Sequence, residues 1–242
     1  MKKTLILSAF LFILISQSFG QDKKFHFGVS FNPNYSYRIY TTNDKSSFSK
    51  RFFDSVDASK FSYSAGLFAE RQLSQRLKVR VGLNFMKTGF GSIKNNISSS
   101  WGSQGGSTNT KPDSSLPVAA SRYYNAYYIE IPLDFQCFIG QKKRFFVNLG
   151  MSPCINFLNE TASKLYYLDG KTTIQTLEDR QTDNRKVAIA VQFGLGYNVP
   201  IFKKFTLEIQ PRFQCFTTPF TQKINPANIF LYNAGLQFAV KV

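Results

Sequence analysis

The sequence predicts an all-β fold, an eight-stranded antiparallel up-and-down transmembrane β-barrel over residues 21–242, behind a signal peptide at 1–20. Three observations predict it. Apolar and polar residues alternate with period two in eight separate runs. Long and short connections between those runs also alternate. One of the two alternate sets is bulky and almost free of charge, while the other is small, amide-rich or ionic. Such alternation marks strands that face two different environments.

The opening MKKTLILSAFLFILISQSFGQ has a basic start at Lys2 and Lys3, an apolar run from Leu5 to Ile15 and a small-residue pattern, Ser18-Phe19-Gly20, before Gln21. That is the pattern of a secretory signal peptide, too short for a membrane-spanning helix. No later stretch reaches the ~18 consecutive apolar residues that a spanning helix requires. The expected crossing elements are therefore strands.

The first run, 25–40, sets Phe25, Phe27, Val29, Phe31, Tyr35, Tyr37 and Ile39 against Gly28, Ser30, Asn32, Asn34, Ser36 and Arg38. Runs at 61–73, 77–91, 123–139, 145–158, 187–199, 205–217 and 229–242 follow the same rule. The fourth, IEIPLDFQCFI, keeps Ile129, Ile131, Leu133, Phe135, Cys137 and Ile139 on one side and Glu130, Asp134 and Gln136 on the other. The connections 41–60, 92–122, 159–186 and 218–228 are long or intermediate, whereas 74–76, 140–144 and 200–204 are tight. In a closed meander this places all the long loops at one rim and both termini at the other, as in outer-membrane barrels with short periplasmic turns. Pro33, Pro132, Pro153 and Pro211 interrupt the runs, and a bulge is expected at each because proline cannot donate to the ladder.

Alternation alone does not say which set is inside. Volume does: an eight-stranded barrel has an interior just wide enough for side chains to fill. Phe193, Leu195, Tyr197, Phe213 and Phe238 are too large for it as a set, whereas Ala188, Ala190, Gln192, Gly194 and Gly196 fit. Charge agrees. At 18% charged residues, the roughly fifty positions of the apolar sets would carry about nine charges by chance, yet only Arg71 and Lys87, near strand ends, stand there. A Lys or Arg at mid-bilayer on the lipid face costs about 2–4 kcal/mol, so lipid requires such clearing.

The inward set then holds Glu70, Glu130, Asp134 and Glu208 against Arg38, Lys78, Arg80 and Arg212. Balanced signs predict a filled, ion-paired lumen with no wide pore. Glu70, Lys78, Arg80, Glu208 and Arg212 are expected to form one structural cluster near the short turns. Tyr35, Tyr37, Tyr40, Tyr123, Tyr124, Tyr127 and Tyr128 are expected to form an interfacial aromatic girdle.

Chemistry is sparse. His26 is the one histidine and falls at the start of the first run, away from any Ser with which it would form a nucleophilic pair. Cys137, Cys154 and Cys215 lie inside strand runs and make no disulfide framework or zinc spacing. No catalytic, cofactor-binding or metal residue is assigned, and no cofactor is expected. The net charge of +16 falls to +14 without Lys2 and Lys3 (16 − 2). In an exported chain that balance favours anionic membrane lipid and lipopolysaccharide over nucleic acid. Lys142, Lys143, Lys203 and Lys204, in two of the short turns, offer a surface for headgroups or for a periplasmic protein.

The stretches FSYSAGLFAERQLSQRLKVRVGLNFMKTGFG, YYIEIPLDFQCFIG, FFVNLGMSPCINFL and the closing YNAGLQFAVKV resemble the small outer-membrane β-barrel family of the Bacteroidota, the porin-family or PorT-like barrels. The likeness covers nearly all of 21–242 and lies in pattern more than in diagnostic residues. It implies an outer-membrane address, and a role in gliding or type 9 secretion for some members. The end also resembles a signal for the barrel assembly machinery, with Asn233, Gly235, Phe238 and Val240, although Val242 replaces the usual final aromatic. The leading expectation is a non-enzymatic barrel with a structural or partner-binding role. An accessory of a secretion complex and a narrow porin-like channel are the alternatives.

Overall fold

A computed structural model describes residues 25–41, 55–96, 117–178, 184–201, 205–221 and 228–242. The segment 1–20, expected as a signal peptide, most of the low-complexity loop core at 95–115, and Lys203 and Lys204 lie outside the described residues. The strands are β1 (Phe25–Thr41), β2 (Asp57–Ala58), β3 (Lys60–Gln72), β4 (Leu77–Ser92), β5 (Asn95–Asn96) and β6 (Pro117–Glu130). They continue with β7 (Leu133–Ile139), β8 (Phe145–Tyr167), β9 (Thr172–Glu178), β10 (Val187–Pro200), β11 (Thr206–Phe216) and β12 (Asn228–Lys241).

Eight staves close a ring: β1, β3, β4, β6 with β7 as one interrupted stave, β8, β10, β11 and β12, each antiparallel to the next. The closing pair is β1 with β12, in register from Gly28↔Lys241 to Thr41↔Asn228. Following the pairing once around from His26, through Glu70, Arg80, Asp134, Gly150, Gln192, Gln214 and Asn233, returns to Ser36, ten residues further along β1. That stagger, with a rise of about 3.3 Å per residue and strands about 4.8 Å apart, tilts the strands by about 40° and sets a radius of about 8 Å. Side chains from opposite walls therefore meet across the axis.

The tight turns follow β3, β7 and β10, at the rim where β1 starts and β12 ends. The turn after β7 is made possible by positive φ at Gly140 (77°) and Lys143 (49°). Outward positions are apolar and open along every stave: Phe27 is 64% exposed, Leu67 65%, Leu83 57% and Leu195 55%. A belt of this kind around a whole molecule has no counterpart on a water-soluble monomer.

The structure corrects three expectations. At Pro33, Pro153 and Pro211 no bulge forms; the pairing register is the same on both sides of each. Each proline forfeits one donor, and the bonds above and below hold the strand in place. Only Pro132 interrupts a strand. Even there the sheet stays stitched, because the Gly82 amide donates to the Pro132 carbonyl and the Ile131 amide to the Pro153 carbonyl, both at 3.0 Å. On β8 a bulge falls at Phe157, between Tyr127↔Leu158 and Tyr128↔Asn156, and a second register shift lies between Pro117 and Ala119 of β6.

The segment 159–186, expected as one polar loop, is largely sheet. β8 runs on to Tyr167 and β9 returns beside it, from Tyr166↔Thr172 to Glu160↔Glu178. The turn is carried by Gly170 at φ 81°, whose amide donates to the Tyr167 carbonyl at 3.1 Å. The dipeptide Asp169-Gly170 is a recognised hairpin signal that the reading by alternation passed over. Likewise β6 begins at Pro117, six residues before its expected start.

Replacing Leu83 by Arg tests the facing. Leu83 is six residues beyond the turn end of β4, about 15 Å up a strand tilted by 40°. The variant is expected to lose about 2–4 kcal/mol of folding stability in vesicles, read by urea titration. On a water-facing surface the same change would be close to neutral.

Candidate functional site: the barrel interior

The lumen is filled in layers, and each layer follows from which residues the inward parity presents. Nearest the short turns lies an aromatic floor. Phe138 and Phe146 have ring centres 5.4 Å apart, and both are buried, as is Phe68. These are bulky inward residues of the kind the volume argument assigned to the outside. They fit because glycines face them: a Cβ on Gly28 would collide with the Phe68 ring, and one on Gly196 with the Phe146 ring.

Above the floor is a charged layer. The Arg80 guanidinium lies over the Phe68 ring, 4.0 Å from its centre. It donates to both oxygens of Glu208, at 2.8 and 2.7 Å, and to Glu70 at 2.8 Å. Lys78 donates to Glu70 at 3.0 Å, and the Lys241 ammonium stands 3.1 Å from Glu70 and 3.3 Å from Glu208. Gln136 adds an amide donor to Glu208 at 3.0 Å. Glu208 and Glu70 are 0% and 1% exposed as side chains. Two fully buried carboxylates thus share three cations, an arrangement in which burial is tolerated because every charge is paired and hydrogen-bonded.

The next layer is mainly amide. Glu130 accepts from Arg212 at 3.2 Å, Gln214 at 2.6 Å and Asn84 at 3.0 Å. Arg212 also donates to the Gln237 side-chain oxygen at 2.6 Å and to the side-chain Oε1 of Gln192. Asp134 accepts from Gln192 at 2.6 Å and Asn148 at 3.1 Å. Asn233 links Gln214, at 2.9 Å, to the Thr88 hydroxyl, at 2.6 Å.

The residues expected as one cluster are thus divided. Glu70, Lys78, Arg80 and Glu208 meet, while Arg212 stands with Glu130 in the layer above. The reason is position: Arg212 is four residues beyond Glu208 on β11, one layer further along the axis. Lys241, which the sequence reading left out, takes the place assigned to Arg212. Its signal was available, since it shares the odd, inward parity of Asn233 and Gln237 on β12.

Beyond the amide layer the interior turns apolar. Met86, Tyr128, Cys154, Phe216 and Leu231 are each 2% exposed or less and pack together with Phe220, Phe90 and Tyr124. Tyr124 stacks on Phe90 at 5.2 Å and meets Phe220 edge-on at 5.3 Å. Across the long-loop end, Arg38 donates to both oxygens of Asp57, at 2.8 and 2.7 Å, and lies 3.8 Å from the centre of the Phe90 ring. The expected tyrosine girdle is split by this plug. Tyr35, Tyr37 and Tyr127 face outward, but Tyr40, Tyr124 and Tyr128 point inward and close the lumen.

His26 is at the turn-side rim, with Nδ1 3.0 Å from the Val242 carbonyl oxygen. All three cysteines are free: Cys137 is exposed, Cys154 buried and Cys215 half-buried. Of the residues expected to signal assembly, Asn233 is inside, tied into the amide layer, while Phe238 and Val240 alternate with buried Gln237, Ala239 and Lys241 on β12.

A closed antiparallel ring with an apolar wall and an ionic interior defines a membrane-spanning β-barrel. The model of the outer membrane protein beta-barrel domain matches residues 15–239, and the chain belongs to that family. Similar solved structures include Neisserial surface protein A, with 14% identity over 92% of this chain and 99% of that one at a TM-score of 0.39. Ail, the attachment invasion locus protein of Yersinia pestis, shares 9% over 88% and 97%, at 0.32. The outer membrane protease OmpT of Escherichia coli shares 11% over 93% and 97%, at 0.35. At such scores these likenesses carry no functional weight. No curated protein matches the chain.

Replacing Glu208 by Ala leaves Arg80 and Lys241 short of a counter-charge in a buried layer. The expected loss is about 3–5 kcal/mol in urea unfolding from vesicles. Asp57→Ala, which breaks the more open Arg38 pair, is expected to cost less. Equal, small losses for the two would contradict the layered account.

Proposed function

We propose that this protein is a non-enzymatic, plugged outer-membrane barrel whose role is structural or partner-binding. The observation that carries the reading is the continuous filling of the lumen, from the Phe138–Phe146 floor through the ionic and amide layers to the apolar plug. In this reading the short turns and both ends of the barrel are periplasmic and the long loops extracellular. Residues 1–20 direct export, and the assembly machinery reads the outward Phe238 and Val240 of the strand that closes the ring. Outer-membrane lipid and lipopolysaccharide are its surroundings.

A second reading, as an accessory of a secretion or gliding complex of the kind PorT-like barrels imply, draws on one feature. The β8–β9 hairpin extends the sheet past the ring of staves, and residues 172–177 of β9 are all exposed, Ile174 at 67% and Leu177 at 71%. Such an edge is suited to strand-to-strand docking. Cross-linking in intact envelopes followed by purification decides it; recovery of the barrel alone counts against docking.

Planar-bilayer recording tests the leading reading and separates it from a narrow channel. The protein is expected to insert without discrete conductance steps. Stable ion-conducting openings would overturn the filled-lumen reading.

A further inference from the structure

On the short-turn side the apolar wall ends in a basic rim. The described residues at 71–77, 138–146 and 196–201 include Arg71, Arg76, Lys142, Lys143 and Arg144 and no Asp or Glu. Arg76, Lys142, Lys143 and Arg144 are all exposed, and none of these four forms an ion pair with a described residue. The carboxylates of the charged layer, Glu70 and Glu208, are buried and already engaged by Lys78, Arg80 and Lys241. Among the described residues, nothing offsets the charge of the rim.

Neighbouring turns are tied together there. The Phe138 amide donates to the Arg76 carbonyl at 2.7 Å, joining the β3–β4 turn to the end of β7. The Asn198 amide donates to the Arg144 carbonyl at 2.9 Å, joining the β7–β8 turn to β10. Positive φ at Gly140 and Lys143 keeps the β7–β8 turn short, so its cations follow the apolar rows directly. Ile139 and Phe145, paired in register, are both exposed, and Phe145 packs on Tyr197 with ring centres 4.6 Å apart. The Arg144 guanidinium donates to the Tyr197 hydroxyl at 3.4 Å, which holds it at the margin of that apolar surface. Arg71 repeats the arrangement on β3, its guanidinium 5.2 Å from the centre of the Phe25 ring.

Three cations in a row, set where outward rings end, suit a ligand that is itself amphiphilic. A soluble anion would meet the charges and leave Ile139, Phe145 and Tyr197 uncovered. Guanidinium presents a fork of donors that matches phosphate oxygens, and the two ammonium groups add charge without fixing geometry. We propose that Lys142, Lys143 and Arg144 form a headgroup site for an anionic phospholipid of the leaflet at the short-turn rim, with its acyl chains lying against Ile139, Phe145 and Tyr197. This rests on the reading of the outer wall as lipid-facing.

The test uses the full chain folded into phosphatidylcholine vesicles that carry a trace of spin-labelled phosphatidylglycerol or spin-labelled phosphatidylcholine. Electron spin resonance reads how much of each label is immobilised at the protein surface. Phosphatidylglycerol is expected to be preferred at least about fivefold, the effect of roughly one basic residue at an anionic surface. K142Q/K143N/R144Q is expected to bring the ratio close to one; Asn is chosen at 143 because it tolerates positive φ. The charge-matched control K94Q/K164Q/K171Q, at the long-loop end, is expected to keep the preference. In the unaltered chain the preference is expected to collapse in 1 M salt, where screening acts over about 3 Å. A heat-dependent gel shift verifies that each variant is folded. Unchanged preference in the folded triple variant, an equal loss in the control, or full preference in 1 M salt would overturn the site. In each of those cases immobilised phosphatidylcholine leaves the lipid-facing wall intact, whereas no immobilised lipid of either kind would overturn the wall itself.

Discussion

In hydrocarbon, a backbone amide or carbonyl without a partner in the protein has none at all. The pairing of β1 with β12 answers that constraint, and everything else follows from it. Once those strands join, the sheet has no edge within the ring, and the stagger of ten residues fixes both tilt and radius. A radius of about 8 Å leaves no room for bulk water along the axis once side chains from opposite walls are in place. The interior must then be solved as a protein core, although the outside has already taken most of the large apolar residues.

The layers are that solution. In the ionic and amide layers the charged groups are set among partners: Arg80 lies between two carboxylates and Arg212 between a carboxylate and two amides. Glycines appear on the inward set where a neighbour needs the volume, as at Gly28 and Gly196. The apolar plug occupies the part of the lumen nearest the long loops. There the inward parity changes character, from amide residues at Gln192 and Gln214 to Ala188, Ala190 and Phe216. A lumen so filled is a scaffold for what stands at its ends.

Much of this was legible in the sequence. Period two gave the eight staves, and the boundaries of β4 and β10 agree with the runs to within a residue. Bulk and charge identified the outward set on β10 and β12. What alternation does not carry is the stagger between strands. Arg80 and Glu208 are 128 positions apart, and only the register around the ring brings them within 3 Å. For the same reason sequence position alone puts Arg212 one layer too low and gives no sign that Lys241 reaches Glu70 and Glu208. Where inward residues are themselves apolar, as at Met86, Tyr128 and Leu231, the two faces look alike in sequence, so the plug was read as girdle. Prolines misled in the opposite direction, because losing one donor is a smaller disturbance than shifting a whole strand.

The central claim is that odd and even positions of each stave meet different solvents. Nitroxide side chains placed one at a time from Val79 to Lys87, in the protein folded into vesicles, test it most directly through their accessibility to oxygen and to a water-soluble nickel chelate. The account predicts high oxygen accessibility at 79, 81, 83 and 85, and low accessibility to both reagents at 80, 82, 84 and 86. Flat accessibility along the strand, or nickel contact at the even positions, would contradict it.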